Sequence, residues 1–181
     1  IIMSDLTFQE IEDAISKSPS LEDLPDERDY QYSEIMGAVE VPEEFDVSDK
    51  CSSVKNQGAR GTCVGFAAAG ISEFFNILDL NYPTLDLSEE YLYKRIKEID
   101  IEDYNYTGYG SYMRSGAKAL KKFGTCLEAT APYNFNGGEK AWETFTPTSK
   151  MAEEAESFKM NNYLSVRKSL DAIKQALVTT N

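Results

Sequence analysis

Cys63 and Gln57 are the two residues of this sequence whose types and spacing could do chemistry together. Gln57 precedes Cys63 by six positions, across the turn-forming run GARGT at residues 58–62. A thiolate attacks carbonyl carbons, and a primary amide beside it donates a hydrogen bond to the negative oxygen that forms. Such a donor contributes roughly 3 to 4 kcal/mol to acyl transfer. The pair therefore predicts acyl transfer by a cysteine nucleophile.

A helix is predicted directly after the cysteine. The residues that follow Cys63 repeat apolar side chains at the helical period: Val64, Phe66, Ala67, Ala68, Ile71, Phe74 and Phe75. Cys63 is thus expected where a loop becomes a helix. The first N–H groups of a helix are unpaired and carry partial positive charge, so we expect them to ease ionisation of the thiol. The alternative is a buried structural thiol near a helix start.

Residues 57–67, QGARGTCVGFA, resemble the papain family's signature around its nucleophile, Gln-Gly-X-X-Gly-Ser-Cys-Trp-Ala-Phe. Arg60 stands where many family members have a disulfide-forming cysteine, so the resemblance implies that this bridge is absent. Thr62 replaces the usual serine, and Val64 replaces the usual tryptophan, which leaves a smaller wall beside the nucleophile.

The resemblance implies roles for five residues. Cys63 would be the nucleophile, and Gln57 would donate to the oxyanion. Gly61, Gly110 and Ser111 would bind substrate, because the last two best match a Gly-Gly loop that pairs its backbone with the substrate in this family. A plain surface loop is the alternative for Gly110 and Ser111. The resemblance implies no metal and no cofactor.

Further segments resemble the family in the expected order. Residues 124–133, GTCLEATAPY, resemble the Gly-Val-Cys-Pro-Glu…Pro-Tyr of bacterial-type relatives. Residues 87–90, LSEE, resemble the Leu-Ser-Glu-Gln that begins the family's second helix, and Ser88 is a favourable N-cap there. Glu73 falls on a family glutamate that is buried and structural, so we expect it to be structural here.

The elements that must position these residues are mostly helices. The pattern predicts turn-rich loops at residues 99–111 and 134–148 and a strand at residues 160–166. After the helix that follows Cys63 and the one that opens at Ser88, helices are predicted at residues 111–123, 150–159 and 169–177, with Gly124 ending the first of these three. We therefore expect a mostly α chain.

Two parts of the chain are expected. Residues 1–40 contain a possible short helix at residues 5–17 followed by a polar, proline-containing linker, and by resemblance they are a pro-segment. An ordinary N-terminal extension is the alternative, and processing is expected near residues 38–42. Residues 41–181 resemble the helical left half of the α+β papain-like fold, without its β-rich right half.

Charge and hydropathy exclude some classes of partner. The formal net charge of −13, from 31 acidic and 18 basic side chains, argues against nucleic acids and anionic membrane surfaces. The sequence has no apolar run near the roughly 18 residues of a membrane span, and no secretory signal pattern. By resemblance alone, the compartment is expected to be secreted, vacuolar or virion-associated.

The two further cysteines are too few for a disulfide framework. Cys51 and Cys126 are either paired with each other or simply buried. The sequence does not choose between these two possibilities.

The sequence contains no histidine. A cysteine protease of this family needs an imidazole that takes and returns the proton. The histidine and its orienting asparagine are expected roughly 130 to 150 residues after the nucleophile, which lies beyond Asn181. We expect them in the β-rich half, on the same protein or on a separate chain, and this chain alone to be inactive.

These features predict a thiol-dependent endopeptidase in a zymogen-like form. It would hydrolyse a peptide or protein substrate through a thioester on Cys63. The alternative is a catalytically inactive papain-fold module that binds peptides or a partner.

Overall fold

The structure, a computed structural model, describes residues 20–26, 31–32, 39–80 and 84–179. Helices dominate this part of the chain, which confirms the expected mostly α composition. The helices are α1 (Cys63–Leu80), α2 (Glu89–Tyr104), α3 (Met113–Lys122), α4 (Ala141–Thr144), α5 (Ser149–Ala155) and α6 (Leu170–Thr179). Two short strands, β1 (Ser20–Leu21) and β2 (Ser111–Tyr112), and 3-10 turns at Ser48–Lys50 and Glu156–Phe158 complete the described elements.

The main core lies where α1, α2 and α3 pack together. It is formed by apolar side chains from all three helices: Val64, Ala68, Ala69, Leu92, Ile96, Ile99, Ala119 and Leu120. Gly116 lets α3 approach α1 closely, because a Cβ atom there would lie 3.0 Å from Cγ1 of Val64. The side chain of Cys63 packs against the edge of this core.

A smaller apolar cluster lies between α2 and the segment after α3. It contains Tyr91, Cys126, Ala131 and Ala155, with Phe145 and Met151 packed against it. The backbone N–H of Ser88 donates to the carbonyl oxygen of Cys126 at 2.8 Å, which joins the start of α2 to this segment. Residues 124–133 are therefore held against the helix that carries Glu90.

The ends of the helices follow their sequence signals. The Oγ of Ser88 accepts the N–H of Tyr91 at 3.0 Å, which confirms the predicted N-cap of α2. Asn105, with a φ of 52°, ends α2 in the left-handed region. Gly124, with a φ of +68°, follows α3 in the same region, as predicted.

Several predicted boundaries are wrong. Residues 99–104 continue α2 instead of forming a loop, and residues 141–144 form α4, on which Trp142 is buried. The third helix begins at Met113, because residues 111–112 are extended and pair with β1. In these regions tertiary packing overrides the local turn signals.

The strand predicted at residues 160–166 is also wrong. Within it, Ser165 makes an isolated parallel bridge with Gln31, and the described residues offer no continuous neighbouring strand. A strand needs such a neighbour to pair its backbone N–H and C=O groups.

The N-terminal segment reaches the start of α3. Strand β1 pairs with β2 in parallel, with Ser20 opposite Ser111 and Leu21 opposite Tyr112. The helix predicted at residues 5–17 lies outside the described residues. None of the described helices has the length and apolar character needed to cross a membrane.

Candidate active site

Cys63 is the first residue of α1, as predicted, and its side chain is half-buried. The backbone N–H groups of Cys63 and Val64, at the start of α1, lower the pKa of its thiol. Burial raises the pKa of the thiol above its ordinary value, and these N–H groups oppose the rise only in part. The N–H groups at the helix start ease ionisation, as expected, but burial outweighs them, so the pKa of this thiol is raised overall. A thiolate here needs a cationic partner as well.

Gln57 begins the turn that leads to Cys63, and its side chain folds back onto that turn. Its Nε2 donates to the carbonyl oxygen of Arg60 at 2.8 Å. A primary amide has two N–H groups, so the second remains for another acceptor. Gly58 follows with a φ of +66°, a conformation that favours glycine and turns the chain. The amide is thus anchored without using its full donor capacity.

Arg60, noted in the sequence only for the cysteine it replaces, holds this turn in place. Its side chain is 2% exposed and forms a two-pronged ion pair with Glu90 of α2, with Nη2 donating to Oε1 at 3.1 Å. Nη1 also donates to the carbonyl oxygen of Asn134 at 2.9 Å. Paired guanidinium and carboxylate groups of this geometry fix orientation as well as charge. Sequence reasoning missed this role because nothing in the motif names Glu90 as the partner.

Tyr133 is a second residue that sequence reasoning did not assign to the site. Its hydroxyl donates to the backbone oxygen of Gln57 at 2.9 Å and lies 2.7 Å from Oγ1 of Thr62. Tyr133 is the last residue of the second family-like segment, residues 124–133. That segment was the signal that could have pointed to it.

Gly61 lies under an aromatic side chain. A Cβ atom at Gly61 would lie 2.7 Å from the ring of Tyr109, and Gly61 itself is buried. The structure thus brings Gly61 next to the loop that carries Gly110. The substrate-binding role of Gly61 stays a prediction.

Gly110 and Ser111 are each fixed by a hydrogen bond to a side chain of α2. Gly110 has a φ of +79°, and its carbonyl oxygen accepts from Nζ of Lys97 at 2.9 Å. Ser111 is fully buried, and its Oγ donates to Oδ2 of Asp100 at 2.7 Å. The side chain of Ser111 therefore faces the protein. Its backbone pairs with Ser20, so the predicted pairing edge is occupied by this chain's own N-terminal segment.

The remaining cysteines are both free, so the possibility that they are paired is wrong. Cys51 is exposed, which also excludes the buried alternative for it. Cys126 is fully buried, and burial raises its pKa to about 12. Cys126 is therefore an unreactive core residue.

Glu73 is buried and structural, as expected. Its Oε1 accepts from the backbone N–H of Leu87 at 2.7 Å and from Nζ of Lys55 at 2.8 Å, and its Oε2 accepts from the hydroxyl of Ser52. These contacts tie the segment before the turn to α1. Among the described residues, no group of three or more His, Cys, Asp or Glu side chains could hold a metal ion.

This chain resembles known proteins in sequence and in structure. The viral cathepsin of Adoxophyes honmai nucleopolyhedrovirus is 35% identical over 91 residues, which cover 49% of this chain and 25% of the cathepsin. The structure of xylellain, a cysteine protease from Xylella fastidiosa, matches with a TM-score of 0.69 at 24% identity, over 88% of this chain and 62% of xylellain. A structure from work on the mite allergens Blo t 1 and Der p 1 matches with a TM-score of 0.54 at 20% identity, over 80% of this chain and 44% of that one.

The two structural matches show the fold alone at these identities. The chain spans a quarter of the viral cathepsin and less than two thirds of either structure. The model of the papain family cysteine proteases matches residues 41–181, which is most of the sequence. This chain belongs to the papain family of cysteine proteases.

Proposed function

We propose that the protein carrying this chain is a thiol-dependent endopeptidase with Cys63 as its nucleophile. The observation that carries the proposal is the placement of Cys63 at the first position of α1, next to a turn that anchors the amide of Gln57. A nucleophile at a helix start, with a second donor held on the turn before it, suits attack on a carbonyl group. The substrate class is a peptide or protein.

The reaction proceeds in two acyl-transfer steps. The sulfur of Cys63 bonds to the peptide carbonyl carbon, and the carbonyl electron pair moves onto the oxygen. The amide of Gln57 and the backbone N–H of Cys63 donate to this oxyanion. Its collapse breaks the C–N bond, and the amine leaves with a proton. Water then attacks the thioester, which releases the acid and restores the thiol.

The proton is moved by a histidine that this chain lacks. We place this histidine and its orienting asparagine in a β-rich half, carried by the same protein or by a separate chain. The raised pKa of Cys63 is consistent with this need, because an imidazolium beside the sulfur would favour the thiolate. Intact mass and co-purification of the natural protein distinguish one chain from two.

The proposed peptidase is in a zymogen-like form. Strand β1 occupies the backbone edge of β2, where the family resemblance places the substrate. The carboxylate of Asp23 also accepts the backbone N–H of Arg114, at 3.0 and 3.2 Å. Residues 1–40 would then be a pro-segment that blocks this edge until it is removed. A secreted, vacuolar or virion-associated location would suit such a precursor.

The test uses the full-length protein that carries this chain, after processing. We expect hydrolysis of a fluorogenic peptide that is blocked by a thiol-alkylating epoxide and abolished by Cys63→Ala. The matched control is Cys51→Ala, which removes the exposed cysteine and should leave the rate unchanged. Equal rates in wild type and Cys63→Ala would overturn the proposal. Peptide binding without any hydrolysis would favour an inactive binding module instead.

A further inference from the structure

The turn between Gln57 and Cys63 carries both donors of the proposed oxyanion site, one near each end. The amide of Gln57 is at its beginning, and the backbone N–H of Cys63 follows directly after Thr62. The distance between the two donors depends on the shape of residues 57–62. A group that bonds to both ends of this turn would fix that shape.

Tyr133 is such a group. Its hydroxyl has one hydrogen, which it donates to the backbone oxygen of Gln57 at 2.9 Å. The hydroxyl of Thr62, 2.7 Å away, must then donate to the Tyr133 oxygen. Thr62 is 1% exposed, so water hardly competes for this bond. One phenol oxygen thereby bridges the two ends of the turn.

The ring of Tyr133 is itself held firmly. The guanidinium carbon of Arg60 lies 4.7 Å from the ring centroid, and the ring of Phe66 meets it edge-on at 4.9 Å. The backbone N–H of Tyr133 donates to Oε1 of Glu128 at 2.7 Å. A bridging hydroxyl on a fixed ring can impose a distance, whereas one on a mobile side chain cannot.

We propose that Tyr133 is a positioning residue that sets the spacing between the Gln57 amide and the Cys63 N–H. The proposal rests on the proposed peptidase function for its catalytic consequence, although the bridge itself is a structural property. Tyr133 touches neither substrate nor reacting atoms in this scheme. It acts through the backbone of Gln57 and the side chain of Thr62.

Tyr133→Phe tests the proposal because it keeps the ring and removes only the bridge. In the full-length processed enzyme we expect kcat to fall about 10-fold with KM within about twofold, since misplacing a donor costs less than removing it. Thr62→Val, which removes the other half of the bridge, should lower kcat in the same direction. Tyr91→Phe, at a fully buried tyrosine of the neighbouring cluster, should leave kcat unchanged.

A double variant separates positioning from general damage. In a Gln57→Ala background, Tyr133→Phe should lower kcat by at most about threefold, because one of the two donors is already gone. A further loss of about 10-fold would show that Tyr133 does not act through Gln57 and would overturn the proposal. An unchanged kcat in Tyr133→Phe would overturn it as well.

Hydrogen exchange of the segment 57–62 gives a readout that needs no turnover. Tyr133→Phe should speed exchange there at least about 10-fold, while Tyr91→Phe should not. If Tyr133→Phe speeds exchange but the wild-type protein hydrolyses no peptide, the bridge is supported and the proposed peptidase function is refuted. Unchanged exchange would overturn the role of Tyr133, whatever the activity.

Discussion

Opposing local effects act on individual residues of the candidate site, and Cys63 is the clearest case. Its place at the start of α1 provides N–H groups that favour the thiolate, yet burial raises the pKa of the thiol above its ordinary value. Gln57 likewise divides its amide between a structural bond to Arg60 and a donor that stays available. The proposed chemistry needs the thiol of Cys63 to lose its proton despite burial, and it needs the second N–H of the Gln57 amide for the oxyanion.

Gln57→Ala should lower kcat about 100-fold and change KM little, because a donor that acts only on the developing oxyanion stabilises the transition state and not the bound substrate. Steady-state hydrolysis by the full-length enzyme measures both constants. Asn76→Ala is the matched control, since this amide also donates to a backbone carbonyl but lies further along α1. A kcat that drops equally in both variants would refute a specific role for Gln57.

Glu128 should make stability depend on pH. Burial raises its pKa from 4.5 to about 7, and in the described part of the chain its Oε2 is buried without a hydrogen-bond partner. Between these pH values the folded state binds more protons than the unfolded state, so this group's contribution to stability falls as pH rises. In Glu128→Gln the free energy of unfolding should therefore fall less steeply as pH rises.

Urea midpoints of the full-length protein at about pH 4 and about pH 8 measure this effect, since they bracket the titration. The control is Glu153→Gln, at an exposed glutamate of α5, which should keep the wild-type decline. A decline in Glu128→Gln as steep as that of the wild type would show that Glu128 does not cause it.

The elements of the fold are joined at a few tight contacts. Helices α1, α2 and α3 meet in one apolar core, and the segment after α3 contacts α5, where the backbone N–H of Leu127 donates to Oε2 of Glu154 at 2.9 Å. The turn at Gly124 lies at the contact between the segment after α3 and α5. Its backbone is left-handed and lies directly against the carbonyl of Ala155, at the end of α5.

Gly124→Ala should destabilise the protein by about 3 kcal/mol, through positive φ and overpacking together. The added Cβ would lie 2.1 Å from the carbonyl oxygen of Ala155, so α5 would have to move. Urea denaturation of the full-length protein measures the change. Gly138→Ala is the control, because a Cβ there meets nothing within 4 Å. Equal midpoints for the two variants would disprove this junction.

The sequence predicted those elements whose signals are local. The helix start at Cys63, the N-cap at Ser88 and the turn at Gly124 each follow from a few adjacent residues, and all three are confirmed. The start of α3 was misplaced because pairing of residues 111–112 with β1 depends on a segment about 90 residues away. Local pattern carries no information about such a neighbour.

The candidate site was predictable to the same extent. The motif located Cys63 and Gln57, but the groups that support their turn come from distant parts of the chain. Glu90 lies 30 residues from Arg60, and Tyr133 lies 71 residues from Thr62. Only the three-dimensional structure brings these partners together. The catalytic roles of the motif residues remain predictions.

At the scale of the whole molecule, which has a net charge of −13, one contact stands out. Part of the N-terminal segment, strand β1, lies beside the proposed substrate edge. The contacts among the described residues include the pairing of two residues of β1 with β2, the Asp23 cap at the start of α3, and a bond from Nη1 of Arg114 to the carbonyl oxygen of Leu24. This suits a precursor that is activated by cleavage near residues 38–42.

Asp23→Ala should raise the basal peptidase activity of the unprocessed protein about fivefold, because the lost cap is worth about 1 kcal/mol. Rates on a short fluorogenic peptide before processing measure this change. Glu22→Ala is the neighbouring control, since its pair with Lys168 is exposed on both sides and should not matter. If Asp23→Ala leaves the basal rate unaltered, the segment does not restrain the site.

In the proposed reaction the sulfur of Cys63 carries the acyl group, and trapping this acyl-enzyme is a direct test. The processed full-length enzyme is mixed with a peptide ester, quenched in acid and digested with trypsin. Cleavage after Lys50, Lys55 and Arg60 separates Cys51 from Cys63 in the mass spectrum. We expect an acyl adduct on the peptide of residues 61–94, absent in Cys63→Ala. Continued turnover with that peptide unmodified, or an adduct confined to Cys51, would contradict this expectation.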